Sequence, residues 1–150
     1  MALPGVAPGQ IWQDDCYYLD RETGACQRKY VLILALAPGG GDSVTAVFTT
    51  KSHGLVEQPA CSLGPPRAGY FVGVPGAPLG QPSWVDFSSV QTLDHADLAM
   101  HVKSGRTRLL VLSLAPPAFC KVLRCLLQSS DITGRQAKWI ADAAASLGCP

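Results

Sequence analysis

Residues 30–50 read YVLILALAPGGGDSVTAVFTT and decide the fold. The run 30–37 is apolar throughout and contains β-branched members, which is typical of a buried strand rather than a helix. The Gly39–Asp42 turn follows it, and residues 43–50 are rich in valine, threonine and phenylalanine, which favour a pleated strand. We therefore predict a central β-hairpin.

Further strands are predicted on both sides of this hairpin. A polar loop is expected at 14–27, where a turn signal occurs, and the stretch 51–82 is rich in glycine and proline. Pro116-Pro117 should stop the last strand, because proline cannot donate to a sheet ladder. The additional predicted strands are 9–13, 70–74, 83–90 and 108–115.

Two helices are predicted after the last strand. The first is amphipathic, because apolar residues recur at helical spacing: Phe119, Val122, Leu123, Leu126 and Leu127. The second should cover about 133–147, since Thr133 and Gln136 form a capping box and Gly148 can end it. We therefore predict a single domain over residues 1–150, mainly β with C-terminal helices (α+β). Its small barrel-like sheet would be closed by the first helix.

Composition limits the possible classes of protein. The chain has 150 residues, of which 47% are hydrophobic and 15% charged, so it must fold to hide apolar surface. A net charge of +1 means that a polyanion would have to be held by a local basic cluster. The N-terminal MALPGVAPGQ lacks a signal-peptide pattern, and no apolar run approaches the ~18 residues of a membrane span. We expect a cytoplasmic protein without membrane contact.

Six cysteines occupy a small share of the chain, at positions 16, 26, 61, 120, 125 and 149. No pair has the Cys-x-x-Cys spacing of a zinc site, and Cys120 and Cys125, five apart on a helix, should point in different directions. We interpret the cysteines as buried thiols, with disulfide or metal use as the alternatives. The three histidines share no register with a cysteine pair, so neither a metal nor a cofactor is predicted.

Four short strings occur in an order that resembles a known family. Residues 8–12 (PGQIW) are similar to an opening Gly-Asp-Ile-Trp strand, and 27–33 (QRKYVLI) to an Arg-Pro followed by an aliphatic run. Residues 48–54 (FTTKSHG) resemble the threonine-containing end of a third strand, and 89–94 (SVQTLD) are similar to Gln-Ile-Arg-Thr-Ile-Asp. Together the strings resemble the MazF/PemK toxins over most of residues 8–128.

The resemblance implies an SH3-like or CcdB-like barrel and a metal-independent endoribonuclease toxin. Such an enzyme cleaves single-stranded RNA by attack of the 2′-hydroxyl, which gives a 2′,3′-cyclic phosphate. It would act as a homodimer and be inhibited by a cognate antitoxin protein. Arg28 and Thr49 match the catalytic arginine and threonine. The candidates for RNA binding are Trp12, Tyr17, Lys29, Thr50, Lys51, His53 and Gln91.

Two departures from the family pattern keep another hypothesis open. Lys29 stands where the family has proline, and Gln91 stands where it has arginine. A non-catalytic RNA- or protein-binding module on the same barrel is therefore the alternative. A gyrase-poisoning relative such as CcdB ranks last, because the tail 146–150 lacks the tryptophan that this activity uses. The insertion at about 55–82 and the helix at about 133–147 are additions to the family pattern.

The aromatic and threonine candidates also have purely structural interpretations. Trp12 and Trp84 are alternatively core or interface residues, since large aromatic side chains dominate protein cores. Thr49 and Thr50 are ordinary strand residues by propensity. Arg28 at the beginning of a strand can equally belong to a solvated edge.

Overall fold

The computed structural model describes residues 5–150, so Met1–Pro4 of the N-terminal stretch lie outside the described residues. A seven-stranded sheet and three helices make up the fold. None of the helices within residues 5–150 is long and apolar enough to cross a lipid bilayer. In chain order the elements are β1 (Gln10–Leu19), β2 (Cys26–Leu36), β3 (Asp42–Thr49), β4 (Cys61–Leu63), β5 (Ala68–Gly73), β6 (Ser83–Asp94), α1 (His95–Lys103), β7 (Thr107–Ser113), α2 (Pro116–Leu127) and α3 (Gly134–Ser146).

The sheet is antiparallel and open. Its strand order is β4-β5-β6-β3-β2-β1-β7, so β4 and β7 are its edges. The predicted central hairpin is confirmed, because β2 and β3 pair in a register that sets Val31 opposite Val47. The α+β class is also confirmed, whereas the sheet does not close into the expected barrel. Closure would require β4 to pair with β7, and in the described residues each of these strands has one neighbour.

The first strand is longer than the sequence indicated, and the predicted loop 14–27 is wrong. β1 continues to Leu19, which pairs with Cys26 of β2. The chain reverses in a short turn in which the Asp20 carboxylate accepts hydrogen bonds from the amides of Glu22 and Thr23. Residues 15–19 are partly or fully exposed, so they extend the hairpin beyond the fully buried core, and the alternation of buried and exposed positions is lost there.

The Gly/Pro-rich segment contains two strands instead of one. β4 and β5 form a hairpin that adds to β6, with Tyr70 opposite Val85. Gly69 is required at this junction, because a Cβ atom there would lie 2.7 Å from the carbonyl oxygen of Val85. Glycine and proline thus mark close approach and turns within a sheet rather than an irregular insertion.

Helix α1 was not predicted. It begins after Asp94, whose carboxylate caps the helix by accepting a hydrogen bond from the amide of Ala96. Leu98 is its buried residue, so the helix lacks the apolar stripe that normally reveals a helix in a sequence. Position 94 is an ordinary N-cap, but without that stripe the cap alone was not a sufficient signal.

The main core lies between the sheet and the C-terminal helices. α2 contributes the predicted apolar face, and α3 packs beside it. The predicted capping box is present, since the Thr133 hydroxyl accepts from the Gln136 amide at 3.1 Å and Gln136 Oε1 accepts from the Thr133 amide at 3.0 Å. The largest fully buried members of this core are Ile11, Leu32, Leu34, Phe87, Phe119, Leu123, Leu126 and Ile140.

A smaller apolar cluster occupies the opposite face of the sheet. It contains Trp12, Val31, Ile33, Val47 and the α1 residue Leu98. Because Trp12 is 1% exposed, its indole is a core side chain first of all. The two faces of the sheet are therefore covered by different helices.

All six cysteines are paired, so the expectation of buried thiols is wrong. The disulfides are Cys16–Cys26, Cys61–Cys125 and Cys120–Cys149. Cys120 and Cys125 do point in different directions from α2, as their spacing indicated, and they reach different partners. Those partners come from β4 and from the C-terminal tail, so no local spacing in the sequence could have identified the pairs.

Candidate functional site

A polar cavity lies where β2 begins and β3 ends. Its volume is about 470 Å³, and the loop before β6 forms one of its walls. We call it the strand-end cleft. The lining residues are Tyr18, Gln27, Arg28, Lys29, Tyr30, Phe48, Thr49, Thr50, Lys51, His53, Pro78, Leu79, Gly80 and Gln81.

Most of the residues proposed from the sequence meet in this cleft. Antiparallel pairing explains why, because it brings the beginning of one strand beside the end of its neighbour. If the register of β2 and β3 continues past Val31 and Val47, it sets the beginning of β2 opposite residues 49 and 50. The candidates that line the cleft are Arg28, Lys29, Thr49, Thr50, Lys51 and His53.

The electrostatic character of the cleft is basic. Arg28, Lys29 and Lys51 line it, and its lining contains no carboxylate. Asp15 is the nearest compensating charge, since its Oδ1 lies 3.0 Å from Arg28 Nε. The pKa of Asp15 is lowered, first by the hydrogen bond from Gln13 and then by the Arg28 guanidinium. Two of the three cations therefore have no acidic partner among the described residues, and the cleft suits an anionic ligand.

Arg28 has the geometry of a phosphate ligand. Its side chain is 58% exposed, and within residues 5–150 its hydrogen bonding is limited to Nε with Asp15. Asp15 is in turn held by Gln13 Nε2 at 2.7 Å, so the ion pair orients the arginine. Both Nη groups remain available, and a planar guanidinium can present two parallel N–H groups to one phosphate.

Thr49 is buried and already hydrogen-bonded within its own turn. Its hydroxyl donates to the Lys51 carbonyl at 3.1 Å and accepts from the Lys51 amide at 3.2 Å. This arrangement fixes the turn at the end of β3, and Thr50 is exposed beside it. Thr50 therefore presents the accessible hydroxyl in the cleft, and Thr49 positions the segment that carries it.

His53 lies on the rim of the cleft in an unusual backbone conformation. Its φ is +48°, in the left-handed region that non-glycine residues rarely adopt. Gly54 follows with a φ of +91°, and the Leu55 amide closes the turn by donating to the Ser52 carbonyl at 2.7 Å. Backbone strain of this kind concentrates at functional sites, where a side chain is held in a required place. Here it keeps an exposed imidazole beside Lys51.

The other three candidates lie in a second cavity, on the sheet face that α1 covers. Trp12, Tyr17 and Gln91 line this cavity of about 220 Å³. Gln91 Nε2 donates to the Tyr17 hydroxyl at 2.9 Å. The residues proposed from the sequence are therefore divided between two cavities, and they do not form one continuous site.

Sequence reasoning missed the charged residues of this second cavity. Arg106 donates to both carboxylate oxygens of Asp14, from Nε at 2.8 Å and from Nη2 at 3.1 Å. Its Nη1 lies 3.2 Å from Nε2 of His101. Asp14 shares a strand face with Trp12, which the period of two could have shown. Arg106 is 92 residues away along the chain, and no sequence pattern connects the two.

The fold and the cleft together define an α+β protein with a candidate anion-binding site at one end of an open sheet. No protein-family model matches the chain, and the search of curated proteins found no match. The argument for function therefore depends on the geometry of the site.

Proposed function

We propose that this chain is a metal-independent endoribonuclease of the MazF/PemK kind, which cleaves single-stranded RNA. The observation that supports the proposal most is the meeting of Arg28, Thr50, Lys51 and His53 in one basic cleft. A guanidinium, a hydroxyl, an ammonium and an imidazole are the groups that phosphodiester transfer needs when the RNA supplies its own nucleophile.

The proposed reaction begins with attack of the ribose 2′-oxygen on the adjacent phosphorus. The bond to the 5′-oxygen breaks, so the products are a 2′,3′-cyclic phosphate and a 5′-hydroxyl. Arg28 and Lys51 hold the phosphate and stabilise the negative charge that grows on its oxygens, and Thr50 donates to the same group. His53 carries the protons, since imidazole can accept one from the 2′-hydroxyl and return one to the leaving oxygen.

This proposal also accounts for the two departures from the family pattern, Gln91 and Lys29. Gln91 lines the second cavity and not the cleft. The proposed reaction therefore uses only groups in the cleft and does not require the arginine that Gln91 replaces. Lys29 adds a cation to the cleft where the family has proline. We propose that Lys29 and Lys51 together supply the charge that binds the RNA backbone.

Assembly and partners are proposed on the same basis. β7 is an edge strand, and Val111 in it is fully exposed, which suits the pairing of two copies into a homodimer. The antitoxin is proposed to be an acidic segment, because such a segment would neutralise Arg28, Lys29 and Lys51 and exclude RNA from the cleft.

The proposed place of action is the cytoplasm, where the RNA substrate is found. Disulfides persist in oxidising environments and are rare in reducing ones. The three bridges therefore allow the proposed location to be tested by counting free thiols. If the protein acts in a reducing compartment, protein isolated from it should have all six cysteines as free thiols, and the three bridges should form only on oxidation.

A cleavage assay tests the proposed activity. Purified protein is incubated with single-stranded RNA in the presence of EDTA, and the fragment ends are identified by mass spectrometry. Arg28→Ala should lower kcat by ~10²–10³, the usual effect of losing one charge-stabilising donor. Arg21→Ala is the matched control, because Arg21 is exposed in the β1–β2 turn and does not line the cleft. Intact RNA with the unaltered protein would refute the proposal.

One observation favours a second candidate, an RNA-binding module that does not cut. The Thr49 hydroxyl, which matches the family's catalytic threonine, is committed to its own turn. If Thr50 does not replace it, the cleft binds phosphate without catalysing transfer. RNA that is retained without cleavage, and released when Arg28→Ala is introduced, would establish this alternative.

A further inference from the structure

An exposed aromatic ring lines the strand-end cleft beside its cations. Tyr18, near the end of β1, is 50% exposed. The lining also contains Phe48 and Tyr30, but these two rings serve the core, since Phe48 is 3% exposed and Tyr30 packs against the main core cluster. The open aromatic surface of the cleft is therefore that of Tyr18.

The residue opposite Tyr18 carries a side-chain amide. Tyr18 pairs with Gln27 across β1 and β2, and directly opposite residues of an antiparallel pair place their side chains on the same face, with Cβ atoms about 4.5–5.5 Å apart. Gln27 is partly exposed and also lines the cleft. The nearby side chains of Gln13 and Arg28 both donate to Asp15, whereas the Gln27 amide has no partner within residues 5–150. It can therefore donate and accept toward a ligand.

The hairpin that carries this pair closes just beyond it. The Asp20 amide donates to the Ala25 carbonyl at 2.8 Å, which fixes the turn between the two strands. The register of Tyr18 and Gln27 is thus set by the backbone, and the ring and the amide are presented side by side before a ligand binds. Such preorganisation lowers the entropic cost of binding.

The pair lies next to the proposed phosphate ligand. Arg28 follows Gln27 in the chain, so their Cα atoms are about 3.8 Å apart. A nucleotide joins its base to its phosphate through a single sugar. A phosphate bound at Arg28 therefore brings a base within reach of Tyr18 and Gln27. The cleft volume of about 470 Å³ lies within the ~300–1,000 Å³ range of ligand sites.

We propose that Tyr18 and Gln27 form a base subsite of the strand-end cleft, in which the Tyr18 ring stacks on one unpaired nucleobase and the Gln27 amide hydrogen-bonds its edge. A base has a flat face for the ring and donors and acceptors on its edge for the amide, and a single strand leaves both open. The inference rests on the proposed function and deepens it. It assigns to the cleft an aromatic contact that Trp12 and Tyr17, which line the second cavity, do not make there.

Binding of oligonucleotides that cannot be cleaved tests the base subsite separately from catalysis. One probe is a fluorescein-labelled 2′-fluoro RNA hexamer of random sequence, which lacks the attacking 2′-hydroxyl. The other is an abasic hexamer of the same length and charge. In an anisotropy titration the random hexamer should bind about 5- to 150-fold more tightly than the abasic hexamer, which is the effect expected of one stacked base.

Substitutions assign this difference to the two side chains. Tyr18→Ala should weaken binding of the random hexamer by the same factor and leave the abasic hexamer unchanged, whereas Tyr18→Phe keeps the ring and should bind as the unaltered protein does. Gln27→Leu should weaken binding about 2- to 12-fold, again only when bases are present. Leu19→Ala is the matched control, because Leu19 is exposed beside Tyr18 and does not line the cleft.

Equal affinity for the two hexamers would overturn the base subsite, and so would an unchanged affinity of Tyr18→Ala or an equal loss with Leu19→Ala. Arg28→Ala separates this inference from the proposed function, because it should weaken binding of both hexamers alike. Binding that depends on Tyr18, without cleavage of natural RNA, would refute the ribonuclease activity and support the subsite. If neither hexamer binds, both proposals fail.

Discussion

Removal of the disulfide between Cys61 and Cys125 should destabilise the protein more than removal of either other bridge. A cross-link restricts the unfolded chain, and its effect grows with the length of chain it closes. This bridge spans 64 residues, Cys120–Cys149 spans 29 and Cys16–Cys26 spans 10. The chain-entropy relation gives about 4.3, 3.6 and 2.7 kcal/mol respectively at 25 °C.

Urea unfolding of three double variants measures how much each disulfide contributes to stability. Each variant replaces both cysteines of one bridge by alanine, and the free energy of unfolding is compared with that of the intact protein. Together the bridges amount to about 11 kcal/mol, which is comparable with the ~5–15 kcal/mol stability of a whole domain. Reduction of the intact protein with dithiothreitol should therefore lower its free energy of unfolding by about that amount, and the proposed cytoplasmic location requires that the reduced protein still stays folded.

Two results would refute this reasoning. One is six alkylated thiols in the native oxidised protein, which would mean that the bridges do not form. The other is equal destabilisation by loss of the 10-residue and the 64-residue bridge, which would mean that loop entropy is not the source of the stability. The same thiol count bears on the proposed cytoplasmic location, because a protein that needs its bridges cannot work in a reducing compartment.

Four further predictions concern single side chains. Thr133→Ala should cost about 1 kcal/mol in urea unfolding, because it removes the N-cap of α3. Val111→Lys should convert the proposed homodimer to a monomer in light scattering, and an unchanged mass would exclude the β7 edge as the interface. The pKa of Tyr17 is raised above the usual value near 10, so Tyr17→Phe should remove one late-ionising phenol from an ultraviolet titration. The stability that this phenol contributes should be lost only as the pH rises through its raised pKa. Asp14→Asn should cost about 1–3 kcal/mol and Asp15→Asn less than about 1 kcal/mol, since the first carboxylate is buried and the second is 40% exposed; equal losses would contradict this.

The sequence predicted best the elements whose signals are local. The apolar run at 30–37 and the turn after it identified the central hairpin, and the Thr133 capping box identified the beginning of α3. Helix α1 escaped because it buries Leu98 alone, and the second half of β1 escaped because its residues are partly or fully exposed and show no apolar alternation. Periodicity reports burial, so it fails where an element extends beyond the core.

Long-range partners were beyond the reach of sequence patterns. Asp14 and Arg106, like Cys61 and Cys125, meet only because the strand order brings distant segments together. By contrast, Arg28 and Thr49 come from the two strands of one hairpin, and the antiparallel rule alone placed them at the same end of the sheet.

The two cavities are connected through two adjacent residues of β1. Because side chains alternate along a strand, Asp14 and Asp15 extend toward opposite faces of the sheet. Asp14 neutralises Arg106 in the second cavity, on the sheet face that α1 covers, and Asp15 orients Arg28 at the strand-end cleft. The charges of Asp14 and Arg106 balance each other, whereas the cleft remains basic, since Lys29 and Lys51 have no acidic partner among the described residues. Two adjacent carboxylates of one strand thus give the two cavities different electrostatic character, and the basic cavity is the one in which we propose that the RNA phosphate binds.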